Sequence, residues 1–125
     1  MKTPQGKRAL LTGASRGIGT HIAEALAREG VSLVLTARNI EQVQEVAKKL
    51  ESYPVDIETY ASDMSDPSSL LKLYQAATHN GRSIDILVNN AGIYDYSRFE
   101  ESDFSAAERM IQVNLTGLMY LTKLV

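Results

Sequence analysis

The chain contains no cysteine. That excludes disulfides, thiolate metal ligands and a cysteine nucleophile, and it fits a reducing compartment. Histidine is nearly as scarce: His21 and His79 stand far apart without carboxylate-rich neighbourhoods, so no metal site is expected. Charge of one sign is lacking too. The formal net charge is −2, with Lys and Arg scattered along the chain, so no field is available to draw in nucleic acid or an anionic membrane. No stretch approaches the roughly 20 apolar residues of a membrane span. The basic start, Lys2 to Arg8, leads into only Ala9, Leu10 and Leu11, too few for a signal-peptide core. The cytoplasm is the expected compartment. Internal repeats and low-complexity segments are also absent.

What is present reads as one ordinary globular domain. The 125 residues are 44% hydrophobic and 22% charged, enough to bury a cooperative core. Short apolar runs alternate with amphipathic segments, the pattern of a parallel sheet covered by helices. Arg8–Thr12 predicts a first strand that stops at Gly13. From Gly17 to Glu29, the residues Ile18, Ile22, Ala25 and Leu26 recur at helical spacing, and Gly30 stops the helix. A second strand follows over 31–37. Asn39 then caps a helix, with Gln42 placed to reach back to its backbone. Ile40, Val43, Val46 and Leu50 form that helix's apolar face, and Glu45 with Lys49 forms an i,i+4 pair opposite.

The second half continues the alternation. Val55 to about Ala61 alternates apolar and polar residues, as an edge strand does. Asp66-Pro67 opens a helix to about Asn80-Gly81. Ile84–Val88 is almost wholly apolar, so a central strand is predicted there. After a loop over 89–103, one long helix from about Ser105 runs to the chain end. The order βαβαβαβα, with right-handed crossovers, predicts a three-layer α/β fold: a doubly wound, Rossmann-type parallel sheet of order 3-2-1-4.

The first strand-to-helix junction carries the chemistry. It reads Thr12-Gly13-Ala14-Ser15-Arg16-Gly17-Ile18-Gly19, a G-x-x-x-G-x-G spacing one residue different from the common dinucleotide fingerprint. Gly13 turns the chain at the strand end, Gly17 lets a phosphate approach the backbone, and Gly19 lets the helix pack close to the sheet. Free N–H groups at the helix start favour a pyrophosphate. Glycines of this kind also serve plain tight turns, but a strand–loop–helix–strand unit of the right length favours the nucleotide.

With those residues in place, TGASRGIG resembles the cofactor signature of the main branch of the short-chain dehydrogenase/reductase family. Asn89-Asn90-Ala91-Gly92 is similar to that family's NNAG motif. Asp63 matches its adenine-contacting acid, and Asn114 in Val113-Asn114-Leu115 an asparagine of its catalytic tetrad. The resemblance covers residues 7 to about 125. It implies cofactor contacts from Gly13, Ser15, Arg16, Gly17, Ile18, Gly19, Arg38, Asp63, Asn90, Ala91 and Gly92, and a proton-relay water held at Asn114.

Which nicotinamide cofactor is expected follows from the second strand's end, Leu35-Thr36-Ala37-Arg38-Asn39. An NAD-specific unit would place an acid there for the ribose 2′-hydroxyl. Arg38 stands there instead, with Arg16 as a second clamp, and a guanidinium suits a 2′-phosphate bidentately. NADP(H) is therefore the expected cofactor, preferred over NADH.

The resemblance also implies hydride transfer between nicotinamide and a carbonyl or alcohol carbon, with a tyrosine as acid/base, a lysine four residues on, and a serine. None has a convincing match here. Tyr120 and Lys123 are three apart, Tyr94 and Arg98 sit in a loop, and Ser97, Ser102 and Ser105 have no base near them in sequence. The expectation is a cofactor-binding portion, inactive alone, whose missing residues follow position 125. It would be a fragment, or be completed by another chain or by homo-oligomerisation. A non-catalytic NADP-binding module and an inactive truncated product are the alternatives.

Overall fold

The computed structural model describes residues 3–125. Four strands form one parallel sheet of order β3-β2-β1-β4. They are β1 (Arg8–Thr12), β2 (Ser32–Ala37), β3 (Ile57–Ala61) and β4 (Ile86–Val88). Between them lie α1 (Ile18–Arg28), α2 (Ile40–Lys49) and α3 (Pro67–Ala77). The predicted strand order and doubly wound architecture are those observed.

Strand periodicity divides the core. Leu11 of β1 and Leu33 and Leu35 of β2 face α1 and α2, packing with Ala23, Ala27, Val43 and Val46. Leu10 and Val34 point the other way, toward Leu70, Leu73 and Ala77 of α3 and Leu121 near the chain end. Successive strand residues alternate faces, so β1 and β2 are covered on both sides and read as unbroken apolar runs.

Several elements differ from the sequence expectation. In α1 the buried residues are Gly19, Ala23 and Ala27, whereas Ile18 is 72% exposed. Small residues at i, i+4 and i+8 let this helix lie close against β1, and close approach outweighs bulk. The Asn39 carboxamide accepts from the Gln42 N–H at 3.2 Å, but the Gln42 side chain lines an open cleft. Glu45 and Lys49 form no ion pair among the described residues, while Glu24 and Arg28 do at 3.4 Å. β3 begins only at Ile57 because a tight turn brings the Val55 N–H onto the Tyr53 carbonyl. α3 ends at Ala77, where the Thr78 hydroxyl donates back to Tyr74 and Asn80 adopts a left-handed φ of 61°. β4 covers Ile86–Val88 and pairs only with β1, leaving its other edge open.

The last helical segment is not uniform. α4 (Phe104–Ile111) passes into a π-helical stretch, Gln112–Gly117, before α5 (Leu118–Leu124) resumes. A π turn rotates the residues that follow relative to those before it, and such turns concentrate at functional sites. Gly117 here packs so tightly on the Met64 carbonyl that no side chain would fit.

The end of the sheet where strands begin is tied by ions. Glu58 of β3 accepts from Arg8 at 2.7 Å, from Arg82 at 2.6 Å and from the Tyr60 hydroxyl at 2.8 Å. Burial raises the Glu58 pKa, but those three donors outweigh it and hold the carboxyl below its ordinary 4.5. The folded value lies below the unfolded one, so the stabilisation is present above pH 4.5 and lost as pH falls through the depressed value. Glu58→Gln should therefore lower stability at pH 7 and flatten its decline below pH 4.5. Urea melts from pH 3 to 7 check this; parallel wild-type and variant profiles would refute it.

Candidate functional site

At the strand C-termini, the chain leaves β1 and β4 in different directions, which opens a crevice between neighbouring strands. The cleft there encloses about 700 Å³. Its walls come from the Gly13–Ile18 turn, the end of β2 at Ala37 and Arg38, Asp63 and Met64 after β3, and 90–94 after β4. Arg109 and Val113 of the last helical segment close one side. Of the residues predicted for cofactor contact, only Gly19 stays off this lining; it is buried behind the turn. Asn114, predicted as catalytic, also lies outside it.

The glycine turn is built for close approach. Gly13 has φ +65°, and a Cβ there would stand 2.9 Å from the Ala91 Cα. A Cβ on Gly19 would overlap the Gly13 carbonyl oxygen. These two positions clamp turn, helix and the β4 loop together, and neither has room for alanine. Gly17 differs: open space surrounds its Cα, and no side chain caps the start of α1. Its first N–H groups are left for an anion.

Thr12 joins the two sides of the crevice, a role the sequence did not single out. Its buried hydroxyl accepts from the backbone N–H of Asn90 at 3.1 Å and of Ala91 at 3.0 Å, and donates to the Val88 carbonyl at 3.4 Å. The Asn90 side chain donates to the carbonyls of Thr12 and Gly13, both at 3.1 Å. Asn90 thus lines the cleft while its amide group is spent on the glycine turn. The other asparagine acts in a parallel way. Asn114 accepts from the Ile93 N–H at 2.8 Å and donates to the Ile93 carbonyl at 2.7 Å. Its carboxamide fixes the loop after β4, one reason an asparagine occupies mid-helix.

The charged groups sit at the end of the cleft near β2 and β3. Arg16 and Arg38 line it without an ion pair among the described residues. Asp63 Oδ1 accepts from the Ser65 N–H at 2.9 Å and the Ser65 hydroxyl at 2.7 Å. Arg109 stands 3.7 Å from the same oxygen and donates to the Ser65 hydroxyl at 3.2 Å. Burial raises the Asp63 pKa; the two Ser65 bonds, then Arg109 and Arg38, overcome that and hold it below 3.8. Arg109 was not visible from sequence, since its partner Ser65 lies 44 residues away. Thr36 lines the cleft, and its buried hydroxyl has no hydrogen-bond partner among the described residues. Among the described residues, no cluster of side chains suited to a metal ion occurs, and no helix is long and apolar enough to cross a membrane.

Comparison with known proteins agrees with this geometry. The family described as short chain dehydrogenase matches residues 7–125. An uncharacterized oxidoreductase of Staphylococcus saprophyticus is 41% identical over 117 residues, 93% of this chain and 50% of its own length. An alcohol dehydrogenase from the archaeon Thermococcus sibiricus, solved with 5-hydroxy-NADP, superposes with TM-score 0.89 at 35% identity, covering 94% of this chain and 51% of its own. A short chain dehydrogenase from Burkholderia cenocepacia in complex with NADP gives TM-score 0.91 at 30% identity, covering 98% and 51%. The chain spans about half the length of these relatives.

If Thr12 holds the crevice together, Thr12→Val should strand the half-buried Ala91 N–H, leave that of Asn90 only the Val88 carbonyl at 3.0 Å, and cost about 1–3 kcal/mol, read by urea denaturation. Thr12→Ser should restore most of that loss. Equal losses from both variants would show that the hydroxyl is not what matters.

Proposed function

The chain belongs to the short chain dehydrogenase family, and from that premise we propose that it binds NADP(H) as the cofactor-binding portion of a carbonyl or alcohol oxidoreductase. The observation that carries the cofactor choice is the Arg16–Arg38 pair on the cleft wall, unpaired among the described residues, with Ala37 where an acid would repel a 2′-phosphate. Two structural neighbours whose crystals hold NADP or a derivative support the reading.

The residues present fit the cofactor. The open space at Gly17 leaves backbone N–H groups for the pyrophosphate, and Arg38 offers a planar donor pair to the 2′-phosphate. Asp63 has one oxygen engaged by Ser65 and the other without a hydrogen-bond partner among the described residues, leaving an acceptor for an adenine amino group. Ala91 and Gly92 bring backbone to the cleft where the ribose would lie, and Ser15 and Ile18 line the turn beside them. When bound, the nicotinamide supplies or accepts the hydride.

This chain's own part is to bind and orient. Asn114 holds the backbone of Ile93 against the cleft and so keeps the loop after β4 in register with the glycine turn; a proton-relay water belongs beside it on this reading. The general acid is another matter. No tyrosine of the chain is followed by a lysine four positions later, so the 125 residues alone should bind NADPH without oxidising it when carbonyl compounds are added. That absence favours cofactor binding without turnover as the second reading. Self-association over the exposed stripe of Phe104, Ile111, Leu115 and Met119 is part of the proposal, as is a cytoplasmic setting.

Calorimetry with NADPH and NADH at moderate salt tests the cofactor. Arg38→Ala should weaken NADPH about tenfold or more, as the loss of a charge-assisted bidentate contact does. It should leave NADH within about twofold. Equal wild-type affinities, unchanged by the substitution, would sink the NADP reading.

A further inference from the structure

A carboxylate close to a phosphate pocket is a liability. Asp63 shares the cleft wall with Arg38, whose charge acts on it in the same direction as Arg109 but less strongly. Left alone, the two would attract. Arg38 would then be drawn into an internal pair, and an uncompensated negative charge would face the 2′-phosphate. The structure shows a different arrangement. Arg109 from α4 stands 3.7 Å from Asp63 Oδ1 and anchors itself on the Ser65 hydroxyl at 3.2 Å, while Ser65 donates twice to that same oxygen. Arg38 makes no ion pair among the described residues.

We propose that Arg109 is a specificity-determining positioning residue: it occupies Asp63, so that Arg38 stays free for the 2′-phosphate and the cleft wall stays net positive. Three arginines, Arg16, Arg38 and Arg109, then line the cleft with a single carboxylate, Asp63. The inference rests on the NADP reading above but adds a residue outside the glycine turn and the β2 end. Arg109 acts through Asp63 and need not touch the cofactor. The position of its helix explains how it reaches. α4 starts from Asp103, whose carboxylate accepts from the Ser105 N–H at 3.2 Å, and Arg109 lies in its last turn. The π-helical stretch begins three residues later and seats Val113 in the core.

Side-chain exposures of 38% and 41% make this pair a partly screened one, so the effect should be modest but directional. Arg109→Met should lower the NADPH-over-NADH affinity ratio about three- to tenfold, with NADH itself nearly unchanged. Arg109→Lys should keep most of the ratio. The deciding step is a double-mutant cycle with Asp63→Asn. Once Asp63 carries no charge, Arg109→Met should no longer alter the ratio.

Dissociation constants for both cofactors at fixed moderate salt provide the readout, on wild type, Arg109→Met, Arg109→Lys, Asp63→Asn, the Arg109→Met/Asp63→Asn double variant and Arg38→Ala. An equal loss for both cofactors in Arg109→Met would mean a structural role and overturn the inference. An undiminished effect in the Asp63→Asn background would mean direct contact with the phosphate, and would overturn it too. A wild-type protein without NADPH preference would remove the NADP reading and this inference together. A preference lost only in Arg38→Ala would leave the first and remove the second.

Discussion

The Thr12 hydroxyl lies where two strand ends have to be kept apart yet in register, and the crevice between them depends on it. One oxygen accepts from the N–H groups of Asn90 and Ala91 while its proton goes to Val88. Asn90 returns the favour by donating to the Thr12 and Gly13 carbonyls. Backbone groups at strand ends have lost their ladder partners and must be satisfied locally or by water. Here they are satisfied by each other's segments. That leaves the glycine turn fixed from behind, with the unengaged N–H groups at the start of α1 facing the cleft. A looser junction would still fold as a parallel sheet, but the cleft would lose its rigid floor.

The same economy explains the asparagines. Both motifs place a carboxamide that backbone consumes: Asn90 donates twice, to the Thr12 and Gly13 carbonyls, and Asn114 accepts from and donates to Ile93. A helix with ordinary hydrogen bonding offers an interior asparagine poor options. The π-helical stretch around Asn114 accompanies a side chain directed to a neighbouring segment rather than to its own helix. Packing adds to this, since Gly117 touches the Met64 carbonyl. The last helical segment is therefore bound to the cleft at Ile93, at Met64 and, through Arg109, at Asp63 and Ser65.

Much of this could be read from the sequence, and the rest could not for identifiable reasons. Strand order followed from the alternation of apolar runs and helices, and the caps at Asn39 and Asp66 were visible because they are local. Contacts made by small residues were less legible. Hydrophobic periodicity weights bulk, so it grouped Ile18 with Ile22, Ala25 and Leu26 and passed over Ala23 and Ala27, which are buried; the motif, not the periodicity, pointed to Gly19 as a close-packing residue and to Ile18 in the cleft. The π-helical stretch leaves no trace in periodicity at all, because one inserted residue shifts the apolar face without breaking the helix. Arg109 was invisible for a third reason. Its significance depends on Asp63 and Ser65, which chain topology, not local pattern, places beside it.

The two ends of the sheet treat charge in opposite ways, and the contrast gives the cleft its character. Where strands begin, Glu58 takes donors from Arg8, Arg82 and Tyr60, and Asp85 accepts from the Arg8 N–H while pairing with Lys7 at 3.7 Å. Those charges neutralise each other to hold β1, β3 and the approach to β4 together. Where strands end, Asp63 is engaged by Ser65 and Arg109, and the Arg16 and Arg38 guanidiniums are left without partners among the described residues. With a formal net charge of −2, the chain has no excess of arginine to place casually. Unpaired guanidiniums lining a concave, partly apolar wall concentrate positive potential there. An anion reaching the crevice meets that potential together with the open N–H groups of α1. Local pairing at one end and unpaired guanidiniums beside open N–H groups at the other are the contrast from which the NADP(H) proposal is drawn.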